Sequence, residues 1–102
     1  MREIDIDGLE SALADGAALV DVRQPQEYAE AHVAGAVLIP MDQLVARIGE
    51  LDKEEPVYVI CKVGSRSAAV AEFLSVQGYD AVNVAGGTAA WVRSGRPYDQ
   101  GM

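Results

Sequence analysis

Short apolar runs recur along the chain, and helix-like patterns fill the intervals between them. Ile4 and Ile6 alternate with acids in a strand-like start. Asp7 stands three residues before Glu10, a capping-box spacing that predicts a helix through Ala14, stopped by Asp15-Gly16. Ala18 to Val22 is an apolar run of strand length, interrupted only by Asp21. Pro25 suits the first turn of a helix, which is expected to continue to Ala31. Ala36 to Ile39 is a further strand, closed by Pro40. Leu44, Val45 and Ile48 share one helical face, predicting a helix from Asp42 to Ile48 that Gly49 ends. Val57 to Ile60 is the strongest strand pattern. Ser67 to Gln77 is apolar on nearly every side, so a heavily buried helix is expected there. Ala81 to Val84 reads as the last strand, and Thr88 to Ser94 as a short terminal helix before Gly95 and Pro97.

Continuous apolar strands joined by helical crossovers predict an α/β fold. The expected architecture is a central, mostly parallel five-stranded sheet with helices on both faces. No repeat, linker or low-complexity tract divides the pattern, so residues 1–102 read as one domain. In such sheets, sites form outside the carboxyl ends of strands. Cys61 stands at such an end, directly after the strongest strand.

Composition sharpens this picture. Cys61 is the only cysteine, which excludes an intrachain disulfide and suits a reducing compartment. The amino-terminal stretch has no apolar signal core, and no apolar run approaches membrane-spanning length. A cytoplasmic protein with no membrane partner is therefore expected. Sixteen acids against eight bases give a net charge of −8, which argues against nucleic acid as a partner. Against that background the two cations beside the thiol, Lys62 and Arg66, stand out as a local positive patch.

The segment Cys61-Lys62-Val63-Gly64-Ser65-Arg66-Ser67 carries the candidate chemistry. A free thiol ionises near pH 8.5, and amide donors, a helix N-terminus and nearby cations all favour its thiolate. Gly64 lets the backbone turn back on itself. Val63 offers its N–H and an apolar wall. Ser65 and Ser67 offer hydroxyls, and Ser67 is also placed to cap the following helix. Arg66 carries a fork suited to oxyanions. Against this stands the bland alternative, since free cysteine is among the most buried residue types.

The residues also resemble a known family. Asp21-Val22-Arg23, Glu27-Tyr28, His32, Gly35-Ala36 and Pro40 are similar to the amino-terminal signature of single-domain rhodaneses. Residues 61–67 are similar to the rhodanese active-site loop, and Gly86-Gly87, Trp91, Gly95 and Pro97 to its carboxyl-terminal signature. The resemblance implies a three-layer rhodanese-like fold and a sulfurtransferase. Cys61 would take the outer sulfur of a small anionic donor such as thiosulfate as a persulfide. It would then pass it to a thiophilic acceptor: cyanide, a thiol or a sulfur-carrier protein. Lys62, Val63, Gly64, Ser65, Arg66 and Ser67 would bind the substrate, with Lys62 and Arg66 holding the donor's charge.

Cysteine-based phosphatases need a loop one residue longer than the four residues between Cys61 and Arg66, so phosphate chemistry is not expected. A relay module serving a partner protein, and a non-catalytic binding module, stay open beside the enzyme. Asp21, Arg23 and His32 are read as structural supports, Glu27 and Tyr28 as helix surface and packing, and Trp91 as core. One histidine and one cysteine make a poor metal site, so neither metal nor cofactor is expected. Nothing in the pattern demands a dimer, and a monomer is the expectation.

Overall fold

The computed structural model describes all 102 residues. Five strands, β1 (Arg2–Ile4), β2 (Ala18–Asp21), β3 (Val37–Leu38), β4 (Val57–Ile60) and β5 (Ala81–Val84), form one sheet in the order β1-β5-β4-β2-β3. Every neighbouring pair is parallel. Four helices connect or follow the strands: α1 (Ile6–Ala14), α2 (Pro25–Glu30), α3 (Ser65–Val76) and α4 (Gly87–Arg93). No helix is long and apolar enough to cross a membrane.

Strand alternation divides the core. Successive side chains of a strand point to opposite faces. On β4, Val57 and Val59 join Val70, Ala71 and Leu74 of α3, while Ile60 joins Leu9 of α1 and Trp91 of α4 on the other face. Cys61 continues the Val57–Val59 side by the same period, which sends its sulfur toward α3. Each such buried aliphatic side chain contributes about 1.5–3 kcal/mol, so this alternation is strongly enforced.

Three sequence expectations need correction. The first strand ends at Ile4 and Ile6 already belongs to α1, because Asp5 rather than Asp7 caps that helix. Its Oδ1 accepts from Gly8 N at 2.9 Å. The helix expected over residues 42–48 is replaced by two 3-10 turns, Met41–Gln43 and Ile48–Glu50. Neither turn has a side-chain cap, and a helix this short depends on tertiary packing for its stability. Leu44 is buried and Ile48 packs partly against the core, but Val45 between them is exposed. Helix α3 begins at Ser65, two residues early, and buries one side only: Phe73 and Val76 face solvent.

Candidate active site

Cys61 immediately follows β4, and residues 62–64 return the chain toward the start of α3. Gly64 occupies the N-cap of α3 at φ +109°, a left-handed conformation that other residues adopt only with strain. This turn brings the amide of Gly64 to 3.1 Å from Cys61 Sγ. Ser67, expected as a cap, instead lies one turn inside α3, fully buried, and its Oγ donates to the same sulfur at 3.2 Å.

The Cys61 side chain is itself buried at the floor of the loop, whereas Lys62, Val63 and Ser65 above it are exposed. Burial raises the thiol's pKa. The hydroxyl of Ser67 and the amides of Ser67, Gly64 and Val63 oppose it and prevail, so the ionisation falls below that of an ordinary thiol. The sulfur is thus buried without being an inert core atom. Because the folded-state value lies below the unfolded one, the thiolate contributes stability above the unfolded thiol's range, and loses it as pH falls through the native range. Transfer should correspondingly rise with pH through the native ionisation and level off above it. Ser67→Ala removes one donor to a charged sulfur, a contact worth about 1.5 kcal/mol. The expected result is that the rising limb of kcat/KM moves to higher pH, with a loss on the order of tenfold at pH 7. A pH–rate profile checks both.

The loop is oriented from behind by the segment after β5. Thr88 N donates to Cys61 O and Ala89 N to Lys62 O, each at 2.9 Å. Asn83 on β5 donates from Nδ2 to Gly64 O (3.3 Å) and Glu3 Oε2 (2.8 Å). In a trans peptide the N–H points away from its C=O. Drawing the carbonyl of Lys62 outward therefore turns the amide of Val63 toward the sulfur. Sequence reading missed Asn83, although one amide side chain in an otherwise apolar strand was a signal. Gly87 permits this docking: a Cβ there would stand 2.6 Å from both Cys61 O and Lys62 O, and its φ is +60°. Gly87→Ala should destabilise the protein by on the order of 3 kcal/mol, summing strain and overpacking. It should also lower transfer more than tenfold, because the loop's carbonyls lose their anchors. Chemical denaturation and steady-state rates read the two effects.

Arg66 points its fork at Glu27 of α2, with Nη1 to Oε1 at 2.8 Å and Nη2 to Oε2 at 2.9 Å. Glu27, read from sequence as helix surface, is instead the partner of the loop arginine. That hydrogen bond, against the opposing effect of burial, holds its pKa down to about 2. Asp21 and Arg23 form the expected structural pair, buried at the carboxyl end of β2, with Arg23 Nη2 also donating to Ala31 O. His32 Nδ1 donates to Tyr28 O at 2.7 Å, and the two rings stack. Its backbone bridges Asp99, so the histidine braces loops rather than facing the thiol. No cluster of three or more metal-ligating side chains occurs.

The family model of the rhodanese-like domain matches residues 5–94. This chain belongs to the rhodanese-like domain family. It is 38% identical over 100 residues to a sulfurtransferase of Allochromatium vinosum, covering 95% of this chain and 94% of that protein. It is 41% identical over 86 residues to a thiosulfate sulfurtransferase of Actinobacillus pleuropneumoniae, covering 83% and 80%. A rhodanese-related protein from Thermoplasma volcanium superimposes with a TM-score of 0.91 at 33% identity, over 97% of this chain and 98% of that one. Rhodanese-like members share the five-stranded parallel sheet described above. Its Cys61 loop lies where such a sheet presents its strand ends.

Proposed function

We propose that the protein is a rhodanese-type sulfurtransferase working through a persulfide on Cys61. The Cys61 thiolate attacks the outer sulfur of thiosulfate, forming a Cys61 S–S bond as the S–S bond of the donor breaks. Sulfite leaves with the bonding electron pair. A nucleophile, either cyanide, a small thiol or a carrier-protein thiol, then attacks the outer sulfur and regenerates the thiolate. Two displacements replace one difficult transfer. The observation that carries the reading is the convergence of Gly64 N–H and Ser67 O–H on one sulfur. A ring of this size suits a thiolate or a persulfide. No proton has to be moved once Cys61 is ionised, so no general base is required.

The test is the release of sulfite on mixing enzyme with thiosulfate and no acceptor. One equivalent per chain in a rapid burst supports the double displacement. Sulfite appearing only after an acceptor is added would point to a direct, ternary transfer and end the proposal.

A further inference from the structure

Helix α3 carries the sequence of a helix enclosed on both sides, yet the fold encloses only one. Beyond Ser67 it is apolar nearly all round, the pattern of a buried helix. Val70, Ala71 and Leu74 go to the core against the sheet. Ala69, Phe73 and Val76, spaced four and three residues apart, form a second apolar edge that faces solvent. The segment after β3 meets this edge. Met41, Leu44 and Val45 join Ala69, Val70 and Phe73 to line a groove of about 130 Å³ with no polar residue in its walls. A groove of that volume accepts one apolar side chain. Nine large apolar side chains of the protein are exposed, and four of them, Met41, Val45, Phe73 and Val76, belong to this one surface. Exposed apolar residues scattered singly need no explanation, but a group that shares a groove marks an interaction site.

Charge selects the occupant. Asp42 stands three residues before Val45, and Glu72 three residues after Ala69, so both acids flank the groove. Both are exposed, and neither takes part in a salt bridge. The arginines of the same two segments, Arg47 and Arg66, are committed to Glu50 and Glu27. The result is an apolar slot between two uncompensated negative charges, in a chain of net charge −8. A second copy would bring the same acids against each other, which opposes self-association. The exposed parts of four side chains also fall short of the ~800 Å² per partner of a standard interface. A short segment therefore fits this surface better than a broad globular face.

We propose that this groove docks a short basic amphipathic helix of a partner protein, with one apolar side chain in the slot and lysine or arginine over Asp42 and Glu72. Apolar anchors of such a helix enter the groove, and its flanking cations fix its placement. The docking surface is independent of the sulfur chemistry at Cys61, and its test requires no turnover.

A short lysine–leucine amphipathic peptide and its glutamate–leucine counterpart serve as probes. Each is titrated into isotope-labelled protein while backbone amides are followed by NMR. The basic peptide should shift the amides of residues 41–45 and 69–76 saturably, and the acidic one should not. Phe73→Ser and Val45→Ser should each weaken binding about tenfold, the loss of one apolar contact. Val45 is 68% exposed and contributes little to the core, so that variant keeps the fold. Glu72→Lys should weaken binding about fivefold. Asp15→Lys makes the same charge change at the end of α1, on the other face of the sheet, and should leave the affinity within about twofold. Full affinity in Val45→Ser, or equal weakening by Asp15→Lys and Glu72→Lys, reduces the effect to net charge and overturns the docking site. Equal binding of the acidic peptide does the same. Groove shifts that appear on concentrating the protein alone assign the face to a second copy and also overturn the proposal.

Discussion

Serine at position 61 should reduce transfer from thiosulfate to cyanide by ~10⁴-fold or more, to the uncatalysed background. The hydroxyl is close in size to the thiol and can keep the contacts from Gly64 N and Ser67 Oγ, so the loop should stay formed. What it cannot do is ionise near neutral pH or hold a sulfur as a persulfide. Loss of rate with an unchanged denaturation midpoint is therefore the expected pair of results. A Cys61→Ser protein that still turns over thiosulfate would show that another group carries the sulfur. The single-cysteine sequence leaves no other thiol to do so.

Arg23→Met should cost about 3–5 kcal/mol of stability, a large part of the margin of a domain this size. Asp21 is fully buried, and its two carboxylate oxygens accept from Arg23 N, Nε and Nη2 at 2.9–3.2 Å. Removing the guanidinium leaves that carboxylate in the interior without its countercharge. Arg23 Nη2 also ties Ala31 O, at the end of α2, to the end of β2. The double variant Asp21→Asn, Arg23→Met should lose less than the single one, because no unpaired charge is left behind. Urea denaturation of the three proteins measures this. A loss below 1 kcal/mol for Arg23→Met would mean that the pair is not the support the geometry describes.

The sheet was readable because its strands are continuous apolar runs: Val57 to Ile60 and Ala81 to Val84 appear with the bounds expected of them. The reactive loop was readable for a related reason, since Cys61, Gly64 and Ser67 act on one another within seven residues. What the sequence hid is set by distance along the chain. Glu27 meets Arg66 across 39 residues, and Asn83 meets Gly64 across 19. No local pattern reports such pairings. Local errors had local causes. Asp5 and Asp7 are both plausible caps by composition, and the backbone geometry selects Asp5. Gly64 was expected to permit a turn, and its left-handed N-cap moved the start of α3 forward and drew Ser67 inside the helix, onto the sulfur. The same displacement exchanged the expected role of Ser67 for a more direct one.

Intact-protein mass spectrometry after incubation with thiosulfate tests the central claim most directly. The wild-type chain should gain the mass of one sulfur atom, and cyanide should return it to its starting mass. A wild-type mass unchanged by thiosulfate, or a gain that Cys61→Ala shows equally, would contradict a sulfur carried at residue 61.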